Sequence, residues 1–458
     1  MMNIKVIILS IILILPLESF SSFAPDYKEL NWDGVEVIWV EDNQLPLYQI
    51  DFYFADGALS DRKGKEGETE LAFDLLTSGT RSFNQREIND NLEYYGVSYG
   101  HHITHEYLTY SVGGLAKDIV PSIKQICHIF SDATFPKEEL RKVKKLKING
   151  LNNILNDHSS VADRAFRKLS LDKTAYRNPT GGTIKSLKKI TRKDLLNKIK
   201  YFMGDVKKRV YIKGPKSIIK VKDIITHECG FDLKNSSFVR TEKTLIEKKR
   251  QTRPNIFLVT VPQSNQAQVR IGRVLSKDEI KDDALLLMTS KFLGGGFTSQ
   301  LMKNIRTKAG LSYSVSAFAA GQKEYGRSGI MTFTKNKTVG ELLDVIKNTL
   351  SDVEKGKFTE KEFKQSKGYL IGSFPFAFEK TSHFIESLIQ MDHQEKPHEN
   401  LFDLPKKLKK FSKEDVSKKS LEVFDWNQQT IVVVGPKSLK KDLKRFGKVE
   451  VINYKKFL

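Results

Sequence analysis

Apolar positions along the chain follow a strand period and then a helix period, and the same order comes round twice. Val35 to Val40 and Leu47 to Phe54 read as strands flanking a turn at Glu41-Asp42-Asn43. Glu68 to Leu76 and Glu87 to Tyr95 read as helices, and Tyr107 to Val112 as a strand. Ile119-Val120-x-x-Ile123-x-x-Ile126-Cys127-x-x-Phe130 is one apolar helical face, and a further helix runs from Lys137 to about Leu155. From Ile256 the order repeats. Residues 219–250 are polar and charged, which predicts a linker there.

The repetition is also literal. Gly214-Pro215-Lys216-Ser217 returns 221 residues later as Gly435-Pro436-Lys437-Ser438, each copy closing an apolar strand (Val210-Tyr211-Ile212, then Ile431 to Val434). Ile190-Thr191-Arg192-Lys193-Asp194-Leu195 matches Phe411-Ser412-Lys413-Glu414-Asp415-Val416 at the same spacing. Phe135-Pro136-Lys137-Glu138-Glu139-Leu140 matches Phe358-Thr359-Glu360-Lys361-Glu362-Phe363 at a spacing of 223. A period this long means duplicated domains, not a solenoid. The prediction is an α+β protein of two homologous domains, each with helices packed on a mainly antiparallel sheet. The expected divisions are residues 1–22, a signal peptide; 23–218, the first domain; 219–250, the linker; and 251–458, the second domain.

Length and composition fit this: 458 residues, 39% hydrophobic, fill two or three cores. The net charge of +21 is spread over doublets such as Lys144-Lys145, Lys188-Lys189, Lys207-Lys208 and Lys440-Lys441, without interleaved aromatics. That pattern predicts a solvated basic surface and no nucleic-acid groove. Lys5 followed by the apolar run Val6 to Leu17 reads as an export signal. The run is shorter than the ~20 helical residues that span a bilayer, so no stable membrane insertion is expected after cleavage. Cleavage after Ser21 or after Ala24 is open, and an uncleaved anchor is the alternative. The mature chain is expected to be exported, to the periplasm in a Gram-negative cell. Cys127 reads as a buried free thiol on its apolar face, and with Cys229 about a hundred residues away the two make no framework or metal motif.

Leu293-Gly294-Gly295-Gly296-Phe297-Thr298-Ser299-Gln300-Leu301, followed by Arg306-x-x-x-Gly310-Leu311-x-Tyr313-Ser314-Val315, closely resembles the C-terminal-domain signature of insulinase/pitrilysin-type zinc metallopeptidases, the group that includes mitochondrial processing peptidase. Gly57-Ala58, Gly79-Thr80 and Ala175-Tyr176-x-x-x-x-Gly181 in the first copy are similar to the family's N-terminal domain. The resemblance implies a clam-shell half built from two peptidase-like domains. Active members carry H-x-x-E-H on a helix: two His at i and i+4 grip zinc and the Glu acts as general base. The matching positions here are Glu70, Phe73 and Asp74. The third ligand, a Glu about 75 residues on, is met by Asn149-Gly150. No catalytic residue in cis, no metal site and no cofactor are therefore expected, with zinc only in a partner. Glu66, Glu68 and Glu70 read as helix-end electrostatics; a weak hard-cation site at Glu70 and Asp74 is the alternative.

His101-His102-Ile103-Thr104-His105 is a second temptation. On one strand His101 and His105 would share a face but stand about 13 Å apart, too far for one ion, so a surface or cleft-lining role is expected. There is no G-x-S-x-G, phosphate loop or paired-Cys motif. In the family the Arg and Tyr of the second motif reach into a zinc site on another domain. Arg306 and Tyr313 match them, and Gly294, Gly295 and Gly296 would allow close backbone approach to substrate or a facing subunit. The other reading of Arg306 and Tyr313 is an acid-paired Arg and a core Tyr. The resemblance implies a non-catalytic subunit that binds unfolded peptide and completes the site of a zinc-carrying sister in trans. A peptide-binding or scaffold protein without such a partner is the alternative.

Overall fold

The computed structural model describes residues 25–172, 174–231 and 251–458. The signal-peptide reading of residues 1–22 and most of the predicted linker lie outside them. Two six-stranded sheets form. The first holds β1 (Tyr27–Trp32), β2 (Val35–Glu41), β3 (Leu47–Phe54), β4 (Ser98–Ile103), β5 (Leu108–Leu115) and β6 (Lys208–Gly214), in the order β1-β2-β6-β3-β5-β4. Only β2 and β6 pair parallel. The second holds β7 (Asn255–Thr260), β8 (Gln266–Leu275), β9 (Val315–Gly321), β10 (Gly326–Lys335), β11 (Thr430–Gly435) and β12 (Val449–Asn453), in the order β12-β7-β11-β8-β10-β9. Here β12 with β7 and β7 with β11 are parallel. The α+β duplication read from the sequence is what the chain adopts.

The literal repeats are local necessities. A Cβ at Gly214 would meet Ile218 Cδ1 at 2.5 Å, and one at Gly435 would meet Leu439 Cδ1 at 2.6 Å. In both copies a tight turn folds an apolar side chain back over the end of the strand, and only glycine leaves room for it. Thr191 and Ser412 are the N-caps of helices Arg192–Gly204 and Lys413–Phe424, each in a capping box with an Asp three residues on.

In the first half, α1 (Glu68–Asp74), α2 (Ile119–Asp132) and α3 (Lys137–Asn152) cover one face of sheet one. Phe73 of α1 meets Phe54 of β3 and Phe130 of α2 meets Phe52, while α3 adds Leu140 to the same core. The other face is covered from the opposite half. α5, the helix Thr381–His393, lays Phe384, Ile385, Leu388 and Ile389 on Ile38, Val40, Tyr53 and Tyr211. Reciprocally α4, the helix His158–Ser170, lays Val161, Ala162, Ala165 and Phe166 on Val259, Val261, Val432 and Val434 of sheet two. The two helices begin 223 residues apart, the spacing of the sequence repeat. Each half thus lends one helix to the other's sheet. At about 1.5–3 kcal/mol per large apolar side chain buried, the exchange contributes several kcal/mol that neither half has alone.

Two expectations are corrected. The linker does not begin at 219: Val221, Ile224, Ile225, Cys229 and Phe231 are buried in the first core, because apolar residues in this charged stretch recur at helical spacing. And Cys127 is not a free thiol. Its helix α2 packs beneath the 224–228 turn, which brings Cys229 to it, and the two form a disulfide.

Candidate functional site

α1 starts after Gly67 in a left-handed conformation (φ 94°) and runs only to Asp74, so Glu70 and Asp74 stand one turn apart on one face. The residue that meets them comes from α3. Lys147 Nζ lies 2.8 Å from Glu70 Oε1 and 2.6 Å from Asp74 Oδ2. The first is an aligned hydrogen bond; the second is an ionic approach without hydrogen-bond alignment, since Asp74 Oδ2 has no such partner. On the other side His101 Nε2 of β4 is 3.3 Å from Asp74 Oδ1. Burial works against the Asp74 charge, yet His101 and Lys147 hold its carboxyl below the ordinary range. Burial likewise opposes the Lys147 ammonium, which Glu70 and Asp74 together hold above its ordinary range.

An ammonium therefore occupies the space between the residues at the two ligand positions of α1. A cation such as zinc does not fit there. The position of the general base is equally closed: Phe73 is fully buried, its ring 5.2 Å from that of Phe202 and 5.9 Å from that of Phe54. Among the described residues no group of three or more His, Cys, Asp or Glu is placed to hold a metal ion. Gly181 belongs to this arrangement, because a Cβ there would meet Glu70 Oε1 at 2.9 Å.

Several sequence expectations change. Glu68 and Glu70 do stand in the first turn of α1, but Glu70 and Asp74 are also half-buried ion-pair members with Lys147. Glu68 is fully buried, paired with Arg62 and Lys198. Asn149 and Gly150 are exposed, and the helix residue facing the pair is Lys147, which sequence reasoning missed. Its only signal was its place on the third-ligand helix, about one turn before position 150. The histidine run is not one strand: β4 ends at Ile103, and His105 is buried beyond it with Nε2 2.7 Å from Asn178 O. His101 lines the site and His102 is exposed.

In the second half, helix Asp283–Gly294 ends against β9. A Cβ at Gly294 would meet Ala317 N at 2.4 Å, and one at Gly295 would meet Lys291 Cα at 2.6 Å. The close approach that these two glycines permit is to their own domain, a correction to the expected contact with substrate or a subunit. Gly296 alone faces open space. It opens a turn closed by Ser299, whose N–H and Oγ both donate to Gly296 O, and the turn carries Phe297 at 77% exposure. Arg306, in the π-helical turn Lys303–Lys308, is exposed with its guanidinium 5.3 Å from the Phe297 ring. Tyr313 is 69% exposed, its ring edge-on to Phe333 at 4.8 Å. Its loop is pinned: Thr332 Oγ1 donates to Ser314 O at 2.8 Å and Thr334 Oγ1 to Leu311 O at 2.7 Å. Arg306 pairs with no acid among the described residues, and Tyr313 is not in the core. The structure thus sets aside the acid-paired, core-packed reading and adds Phe297, which the sequence left unassigned.

Residues 189–370 match the family model of the peptidase M16 inactive domain. The non-peptidase homolog YmxG of Helicobacter pylori is 25% identical over 366 residues, 78% of this chain and 81% of that protein. The crystal structure of a peptidase M16 inactive domain from Pseudomonas fluorescens superposes with a TM-score of 0.79 at 20% identity, covering 90% of this chain and 98% of that one. The periplasmic protease PqqL of Escherichia coli superposes at 0.70 and 16% identity over 90% of this chain and 46% of its own.

Proposed function

From a chain that carries the peptidase M16 inactive domain, we propose that it serves as the non-catalytic subunit of an exported zinc peptidase of this family. It binds unfolded peptide and completes the active site of a zinc-carrying sister in trans. The observation that carries the reading is the exposed set Phe297, Arg306 and Tyr313 in the second half, retained while the ligand position in the first half is filled by Lys147. Guanidinium is a rigid, permanently charged fork for a peptide main chain. A phenol hydroxyl aimed at developing negative charge stabilises a transition state by several kcal/mol. The edge strands β4 and β9 give an extended peptide a ladder to join.

Export is supported by the Cys127–Cys229 disulfide, since such bonds persist in oxidising compartments. The periplasmic description of PqqL points the same way. Among the described residues no helix is long and apolar enough to cross a membrane.

The test is reconstitution with an H-x-x-E-H sister of similar length. The pair should cleave unstructured peptide in a chelator-sensitive way, while this chain alone should not. Tyr313→Phe should leave the complex assembled by gel filtration and lower kcat by ~10²–10³-fold; Arg306→Ala should also raise KM. Full activity of both variants in an intact complex sinks the trans-site reading. Failure to bind any such sister leaves the peptide-binding scaffold in its place.

A further inference from the structure

Between α4 and the outer face of sheet two lies a cavity of about 350 Å³. Its apolar lining is Phe318 of β9, Met331 of β10 and Phe166 of α4, with Pro179 and Phe457. Strand alternation sets this up: Arg327, Gly329 and Met331 point to one face of β10, and Gly329 is the cross-strand partner of Phe318. A Cβ at Gly329 would meet the Phe318 ring at 2.3 Å, so the glycine is what lets that ring lie over the strand.

The polar lining is cationic. Arg164, Arg167, Lys168 and Arg327 face the cavity. Arg164 donates to two carbonyls, Phe457 O at 2.9 Å and Gly182 O at 3.0 Å, and Lys168 donates to Lys456 O at 3.1 Å. These bonds orient the side chains but neutralise nothing. Arg167 and Arg327 form no ion pair among the described residues; the Phe166 ring lies 5.5 Å from the Arg327 guanidinium, and Asp163 and Tyr325 act on that guanidinium only from beyond ion-pair distance. The acid in the lining, Asp163, is 2.6 Å from Arg270 Nε. The fifth cation, Arg177, pairs with Asp172. Burial, with Arg167 adding to it, brings Arg327 down to about 10.

The matching seat of the other exchanged helix is neutralised from within. There Arg209 pairs with Glu36 and Asp392, and Asp392 also takes Tyr211 Oη at 2.6 Å and His398 Nε2 at 2.9 Å. Both seats pair one sheet arginine with a carboxylate of the exchanged helix, Arg209 with Asp392 and Arg270 with Asp163, but the α4 seat leaves Arg167 and Arg327 without an ion-pair partner among the described residues, facing the cavity.

We propose that this cavity binds a small organic anion, a carboxylate on an apolar body, with the carboxylate at Arg167 and Arg327 and the body against Phe318 and Met331. The size fits a single small ligand, and guanidinium pairs bidentately with carboxylate. The site goes beyond the subunit role and stands whether or not a sister peptidase exists. A free small acid and the C-terminal residue of a peptide carry the same chemistry.

The experiment is calorimetric titration of the full mature chain with 3-phenylpropanoate and 3-phenylpropanamide, and with the peptide Ala-Ala-Phe as free acid and as amide. Saturable binding of the carboxylates is expected, at least 10-fold tighter than of their amides. Arg327→Gln and Arg167→Gln should each weaken it at least 10-fold, while Arg86→Gln on the remote helix Gln85–Tyr94 should not. A tighter fit of the peptide acid identifies a chain end as the source, and a tighter fit of 3-phenylpropanoate a free acid. Equal binding of acids and amides, no saturable binding, or full binding by folded Arg327→Gln overturns the proposal. If Arg327→Gln does not fold, Arg167→Gln decides in its place.

Discussion

The two halves share five strands in one order and diverge at the sixth. Sheet one is closed by β1, which precedes the shared unit and pairs antiparallel with β2; sheet two is closed by β12, which follows it and pairs parallel with β7. After the repeated Gly-Pro-Lys-Ser the described residues of the first half, up to 231, form no further strand. They make instead the turn that buries Ile224 and Ile225 and ends in the disulfide. The places matching the ligand positions diverge likewise. In the first half a short helix ends in carboxylates held by Lys147 and His101; in the second the helix runs on to Gly294, packed directly against Ala317. Duplication fixes the scaffold, and the two copies then close the same place by ion pairing and by backbone contact.

The disulfide is the largest lever on this difference. It closes a loop of about a hundred residues in the first half alone. Cys229→Ser should cost about 3–5 kcal/mol. The melting temperature should fall by several degrees, and a reductant should bring the wild type to the variant. Equal melting with and without reductant would mean that the 224–228 turn holds without its staple.

Next comes the zinc-like position. The purified chain should contain no stoichiometric zinc by elemental analysis after dialysis. Glu70→His with Asp74→His should also hold none, because Lys147 still stands between the two imidazoles. Adding Lys147→Glu gives the two-His, one-Glu set of a zinc site, and zinc should then bind at least about 10²-fold tighter, ~2.7 kcal/mol. If the double variant binds as well as the triple, Lys147 is not what closes the site.

Lys147→Met measures what the ammonium contributes to the native fold. It leaves two half-buried carboxylates facing each other, at a cost of about 2 kcal/mol, between that of an exposed and a fully buried pair. The Asp74 carboxyl is depressed, so its contribution is complete above its unfolded value and lost as pH falls through the folded one. Lys147 is raised, so its contribution is complete below its unfolded value and lost as pH rises through the folded one. Wild-type stability from this group should be level from about pH 5 to 9. The variant should instead gain stability on acidification from pH 8 to 5, as the carboxylates take up protons. Parallel denaturation midpoints for the two proteins across that range would show that the pair is not stabilising.

The duplication was legible because turn glycines and capping boxes are short and local, so Gly214 with Gly435 and Thr191 with Ser412 could be matched by eye. The loss at Glu70, Phe73 and Asp74 was legible because i and i+4 on one helix fix a shared face. Lys147 was not, since a helix crossing sets which turn of a partner arrives, and spacing alone pointed three residues away. The Cys127–Cys229 pair needs the fold to bring residues 102 apart together. The helix exchange was hidden for a different reason: α4 and α5 each show an ordinary apolar face, and nothing local says whose sheet it covers.

The caps give the finest test of the comparison, since the same box occurs in both halves. Asp194 and Asp415 each accept from the N-cap backbone N–H and its hydroxyl. Asp194 is in addition contacted by Arg62 at 2.5 Å and Lys65 at 2.6 Å, whereas Asp415 pairs with no cation among the described residues. Burial opposes the Asp194 charge, but Lys65, Arg62 and the cap hold its carboxyl far below the ordinary range. Asp415→Asn should then cost about 0.5–1 kcal/mol, an ordinary cap loss. Asp194→Asn should cost about 1 kcal/mol more, because two cations lose their partner and Arg62 is half exposed. Since the Asp194 carboxyl is depressed, its extra contribution is complete above the unfolded value and is lost progressively as pH falls from there through the folded one. The difference between the two variants, read from denaturant midpoints at pH 5 and pH 7, should therefore be the same at both. A difference that vanishes at pH 5, or two equal costs at pH 7, would show that the first half's cap carries no more charge than the second's.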